Sequence, residues 1–128
     1  KGNGYYKARL STAASPKELM AGNYMLRSIS KAKNTDHVIY TMESFEQYPD
    51  LHYATLDFKK SIRLTHGIDQ QKDYLWGTAE LVSWISLDGR KLEGVVYKPA
   101  DFDPAKKYPM IVSFYERNSE TLFNYRMP

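Results

Sequence analysis

Apolar and polar residues alternate in short runs through the first half of the chain. Tyr5-Tyr6-Lys7-Ala8-Arg9-Leu10-Ser11 reads as a short strand, and strand-like runs follow at Tyr24 to Lys31, Val38 to Glu43, His52 to Leu56 and Ile62 to Thr65. The breaks between these four runs carry Asn34-Thr35-Asp36, Tyr48-Pro49-Asp50 and Phe58-Lys59-Lys60. Such turn-forming breaks between short strands predict an antiparallel meander. One four-stranded meander of this length is what a single β-propeller blade needs. No second copy of the pattern is visible along the chain. Ahead of the meander, Ser15 is placed as an N-cap with Pro16 at the first helical position, which predicts one helical turn over Ser15 to Met20.

The second half is organised differently. His66 to Lys72 is polar and is the best linker candidate, with a new segment starting at about Tyr74. Asp88-Gly89 lies between two alternating runs, a strong signal for a two-residue type I′ hairpin, in which both turn positions take positive φ. That register sets Ile85 opposite Leu92, Leu81 opposite Val96, Val82 opposite Val95 and Trp84 opposite Glu93. Pro99 to Pro109 is a connection with Pro104 inside it. Met110-Ile111-Val112-Ser113-Phe114-Tyr115 is apolar almost throughout, the pattern of a strand covered on both faces inside an α/β sheet. Glu120 to Tyr125 reads as a loop or a weak helix.

Composition adds bounds. The 128 residues suffice for one modest core, and 42% hydrophobic with 26% charged residues is ordinary for a soluble globular protein. Net charge is +3, and Lys31, Lys33, Lys59, Lys60, Lys106 and Lys107 fall at turns rather than along one stripe, which argues against nucleic acid as a partner. There is no cysteine, so disulfides and thiolate metal sites are excluded. No apolar run approaches the roughly 20 residues of a membrane span. Eleven Tyr, five Phe and two Trp fit strands and their packed faces, or an aromatic binding platform.

The order of short motifs carries a resemblance. Tyr74-x-Trp76-Gly77 is followed by Glu80-Leu81-Val82-x-Trp84, Ser86-x-Asp88-Gly89, Leu92-x-Gly94, Tyr97-x-Pro99 and Lys107-Tyr108-Pro109, and the strand then ends at Tyr115. This order resembles the start of the catalytic domain in the prolyl oligopeptidase family of serine peptidases, particularly its dipeptidyl-peptidase-IV-like branch. Upstream, Ser44-Phe45, Pro49-Asp50-Leu51 and Leu64-Thr65 look like the last propeller blade of such enzymes. The resemblance implies a mainly β chain, with a propeller-blade-like meander followed by the first β-hairpin and strand of a truncated α/β-hydrolase domain. It divides the chain into 1–73, the end of a propeller with its linker, and 74–128, an incomplete catalytic-domain segment. In the family, the propeller caps the hydrolase domain and admits short peptides, which would be the substrates of the intact enzyme.

The resemblance also implies one site residue. Tyr115 stands where relatives carry a tyrosine whose hydroxyl contributes to the oxyanion hole, the donor set that stabilises a tetrahedral intermediate. Many relatives continue with a small residue, Gly and Pro, whereas Glu116-Arg117-Asn118 follows here. No serine lies in a Gly-x-Ser-x-Gly elbow, and Ser83, Ser86 and Ser113 read as structural. His37, His52 and His66 show no metal-ligand spacing, and Asp101 and Asp103 read as turn residues. No metal or other cofactor is expected. The catalytic serine, aspartate and histidine are expected beyond Pro128, so this chain alone is expected to be inactive. The rest of the parent chain is then its natural partner, and self-association through 110–114 is expected of the chain by itself. The compartment stays open, with periplasmic or secreted placement favoured over cytoplasmic. The alternative is a self-contained aromatic-rich β module that binds a protein or glycan.

Overall fold

The computed structural model describes residues 2–11, 13–115 and 118–127, and for Ile68 the backbone alone. In chain order the elements are β1 (Gly4–Lys7), β2 (Lys17–Ala21), β3 (Met25–Lys31), β4 (His37–Ser44), β5 (Gln47–Thr55), β6 (Ser61–Arg63), the short α1 (Ile68–Gln71), β7 (Thr78–Ile85) and β8 (Lys91–Lys98). A 3-10 turn at Asn118–Thr121 follows. Among the described residues these strands form three antiparallel sheets: β1-β2, β3-β4-β5-β6 and β7-β8. The fold is mainly β, and the four-stranded meander expected from the alternation is present.

Two-residue periodicity builds the core. Val38 and Tyr40 on β4 pair across with Ala54 and His52 on β5, and all four side chains are buried. Leu26 on β3 is buried with them, and Tyr5, Met20, Tyr24, Met42 and Phe58 pack against this group. The Tyr5 ring meets Tyr40 edge-on at 6.2 Å and stacks on Phe58 at 5.0 Å, so the β1-β2 pair is tied to the meander by aromatic contact. Near the chain start, Asn3 donates from Nδ2 to the Leu26 carbonyl at 2.7 Å and accepts the Leu26 N–H on Oδ1 at 2.6 Å. β3 is an edge strand, and its register shifts between Arg27 and Ser30 around Ser28, whose φ is +52°. That is a β-bulge.

Four expectations need correction. Ser15 to Met20 is not a helical turn, because Lys17–Ala21 is a strand paired with β1. A single turn must meet the full nucleation cost for one hydrogen bond, whereas the pairing with β1 satisfies several backbone groups at once. β5 begins at Gln47 rather than His52. Tyr48-Pro49-Asp50 therefore does not break the strand, and Pro49 sits where the β4-β5 register shifts, a position at which a missing N–H is tolerated.

The hairpin at Asp88-Gly89 forms, but its register is one residue away from the type I′ expectation. Trp84 faces Leu92, Leu81 faces Val95 and Ile85 faces Lys91. Gly89 N–H closes a turn on the Ser86 carbonyl at 3.0 Å, Gly89 alone in the turn takes positive φ (+80°), and Ser86 N–H reaches the Arg90 carbonyl at 2.9 Å. This is a three-residue loop ending in a glycine bulge. Its cause is local: Ser86 Oγ accepts the Arg90 N–H at 3.0 Å and bonds the Asp88 carboxylate, so Asp88 avoids a left-handed backbone.

Last, Met110 to Tyr115 forms no regular element and pairs with no strand among the described residues. Ile111 is 96% exposed and Phe114 90%. Strand identity requires a neighbour for the backbone groups, and the described residues supply none. Glu120 to Tyr125 contains one turn of 3-10 helix at its start, within the loop-or-weak-helix expectation.

Candidate functional site

Tyr115, the one residue expected to touch a reacting group, lies at the end of the exposed 110–115 run. It is 78% exposed, and its hydroxyl has no hydrogen-bond partner among the described residues. Glu116 and Arg117, where the sequence departs from the family pattern, lie outside the described residues. Ser83 is on β7, Ser86 is consumed by the hairpin turn and Ser113 is exposed. The histidines are not brought together. His37 bonds Thr35 at 3.1 Å and stacks on Tyr53, His52 is buried, and His66 is exposed. Among the described residues, no group of three or more His, Asp or Glu side chains is placed to hold a metal ion. No helix among them is long and apolar enough to cross a membrane.

The polar geometry concentrates elsewhere, on the inward face of β5. Asp50, His52 and Ala54 alternate into the core, and Asp50 is 0% exposed. Asp50 Oδ1 accepts the Thr65 hydroxyl at 2.7 Å and the Gly67 N–H at 2.8 Å. Arg63 Nη1 lies 3.8 Å from Oδ2, which has no hydrogen-bond partner. His52 stacks on Tyr40 at 5.3 Å, and its Nε2 is buried without a partner. Burial pushes the His52 ring below its ordinary pKa, the Asp50 charge opposes that shift, and Arg63 adds to it. Tyr40 completes the group through a 2.7 Å hydrogen bond between its hydroxyl and Ser61. The set contains a carboxylate, an imidazole and hydroxyls, yet no nucleophile stands free beside a base. Its chemistry is that of a buried polar group that fixes backbone through Asp50 Oδ1, while Asp50 Oδ2 and His52 Nε2 stay without hydrogen-bond partners.

A second concentration joins the two halves of the chain. Trp76 Nε1 donates to the Phe45 carbonyl in the β4-β5 turn at 2.7 Å. Trp76 also stacks on Tyr125 at 5.1 Å, Tyr125 meets Tyr48 edge-on, and Phe45 packs on Tyr97 of β8 at 5.2 Å. Arg27 Nη2 donates to Asn124 Oδ1 at 2.9 Å. A shallow cavity of about 410 Å³ opens where Met25, Leu81, Glu93 and the 119–123 turn meet. Sequence reasoning passed over the β5 network. The signal available was the Asp50-x-His52-x-Ala54 alternation, which puts a carboxylate and an imidazole on the face that also carries the core.

Comparison with protein-family models and with curated proteins returns no match to this chain.

Proposed function

We propose that the chain is part of a serine peptidase of the prolyl oligopeptidase family, spanning the junction between its β-propeller and its α/β-hydrolase domain. The observation that carries this reading is the ordered motif run from Tyr74 to Tyr115. It gains support from contacts between separate motif pieces. Trp76 of Tyr74-x-Trp76-Gly77 donates to the carbonyl of Phe45 in Ser44-Phe45, and Asp50 of Pro49-Asp50-Leu51 accepts from Thr65 of Leu64-Thr65. Motif residues far apart in sequence are thus partners in space, as expected when a motif is read for its packing rather than by chance.

In this proposal the reaction is peptide-bond hydrolysis. A serine hydroxyl beyond Pro128 adds to the scissile carbonyl carbon, its proton passes to a histidine, and the C–N bond then breaks as that proton moves to the leaving amine. Water hydrolyses the acyl-serine by the reverse proton route. The role of Tyr115 is to donate its O–H to the oxygen that becomes negative on attack. Its exposure here leaves that hydroxyl available to a site completed by other parts of the parent chain.

The test has two arms. The coding sequence downstream of Pro128 should contain a Gly-x-Ser-x-Gly motif, and the intact product should react stoichiometrically with a fluorophosphonate probe. The present chain should not react. In the intact enzyme, Tyr115→Phe should lower kcat about 10²–10³-fold with little change in KM, because the bond exists only after attack. A change in kcat below about threefold at unchanged thermal stability removes Tyr115 from the mechanism. A stop codon without the elbow motif favours the self-contained binding module.

A further inference from the structure

The stretch from Leu64 to Trp76 has the composition of a linker, but it is held like part of the sheet. Its backbone is tied at its start: Leu64 N–H donates to the Leu51 carbonyl at 2.7 Å, and Thr65 Oγ1 accepts the Leu51 N–H at 2.8 Å. The Thr65 hydroxyl then donates to Asp50 Oδ1, and the Gly67 N–H donates to the same oxygen. Farther along, Gln71 Nε2 donates to the Glu46 carbonyl at 2.9 Å and Trp76 Nε1 to the Phe45 carbonyl. The partners of this stretch all lie in the β4-β5 turn and the first half of β5. Gly67 is also wedged there, since a Cβ on it would lie 2.3 Å from the Tyr48 ring.

The Asp50 carboxylate is the centre of this arrangement. Burying it is unfavourable unless donors replace the lost water. It nevertheless sits at 0% exposure, with two donors converging on one oxygen from the segment that leaves β6. A solvated linker would satisfy its own N–H groups with water and would need no such carboxylate. We propose that Asp50 is a conformational latch. It fixes the direction in which 64–76 leaves the meander, so the β7-β8 segment and the meander move as one body while the latch is closed. Loss of the Asp50 bonds frees the connection to hinge. This inference concerns the chain itself and stands whether or not the peptidase reading holds.

Native-state hydrogen exchange on the full chain tests it, with Asp50→Ala and Thr65→Val as variants. The reporters are the Gly67 amide, the Trp76 indole N–H and tryptic cleavage after the exposed Lys72. The controls are the Val38 and Ala54 amides in the centre of the sheet. The latch predicts that both variants speed reporter exchange and cleavage about tenfold while the controls stay at their original rates. Equal acceleration of reporters and controls would make Asp50 an ordinary stabilising residue and overturn the proposal. Unchanged reporters would overturn it too. Should Asp50→Ala fail to fold, the milder Thr65→Val decides by the same reporters.

Discussion

His52 occupies a cell that favours its neutral ring. Burial holds the folded side chain below 6.5, so the unfolded chain takes up a proton at a higher pH than the folded chain does. The linkage sign follows: stability is fully present above pH 6.5 and falls as pH drops from there toward the folded pKa. The melting temperature should therefore decline as pH drops below about 6.5, before ordinary carboxylates begin to titrate. His52→Gln should flatten that decline. Parallel curves for the two proteins would show that another group is responsible. Tyr40→Phe isolates a different term. It keeps the ring against Tyr5 and Phe58 but deletes the bond to Ser61, and should cost about 1 kcal/mol in denaturant unfolding. Neither residue's role is written in its neighbours. His52 and Tyr40 meet only because β4 and β5 pair in one register, and that register depends on a bulge at Pro49 that local patterns do not announce.

Turn chemistry governs the elements. Asp88-Gly89 marked the hairpin correctly, yet the Ser86 side chain selected the loop and so moved every cross-strand pair by one residue. Two glycines in this region separate two kinds of cost. Gly89 has φ +80° and open space around it, so alanine there meets backbone strain alone, on the order of 1–2 kcal/mol. A Cβ on Gly77 would lie 2.0 Å from the Lys98 carbonyl oxygen, so Gly77→Ala must push the start of β7 away from the end of β8. Overpacking against backbone of this kind costs about 1–3 kcal/mol or more. Urea unfolding midpoints should rank Gly77→Ala as the more damaging change, and the reverse order would place the strain in the turn. The misread helical turn at Ser15 to Met20 teaches a related point. Ser-Pro is a valid helix start, but β1 offers Lys17–Ala21 a partner, and tertiary pairing overrides a weak local preference.

At the scale of the molecule, the sequence disclosed the meander, the aromatic richness and a polar break at His66 to Lys72. It did not disclose that the break is fastened down, because composition reports what a segment is made of and not which carbonyls it meets. Nor could it place Met110 to Tyr115, whose apolar pattern demands cover that the described residues do not provide. Light scattering should therefore detect concentration-dependent growth in mass for this chain. Ile111→Lys combined with Phe114→Lys should suppress it, since both side chains are nearly fully exposed and a charge on an open strand opposes pairing. A wild-type chain that stays monomeric at high concentration would contradict this.

The Asn3 clamp on Leu26 bears on how such growth would be channelled. Its carboxamide offers β3 one donor and one acceptor, the same pair that a neighbouring peptide group would present. Just beyond it the bulge at Ser28 bends the border of the sheet out of line. An incoming strand thus finds the first rung already taken and the next ones skewed. The meander thus carries its own guard against edge-to-edge stacking on the β3 side.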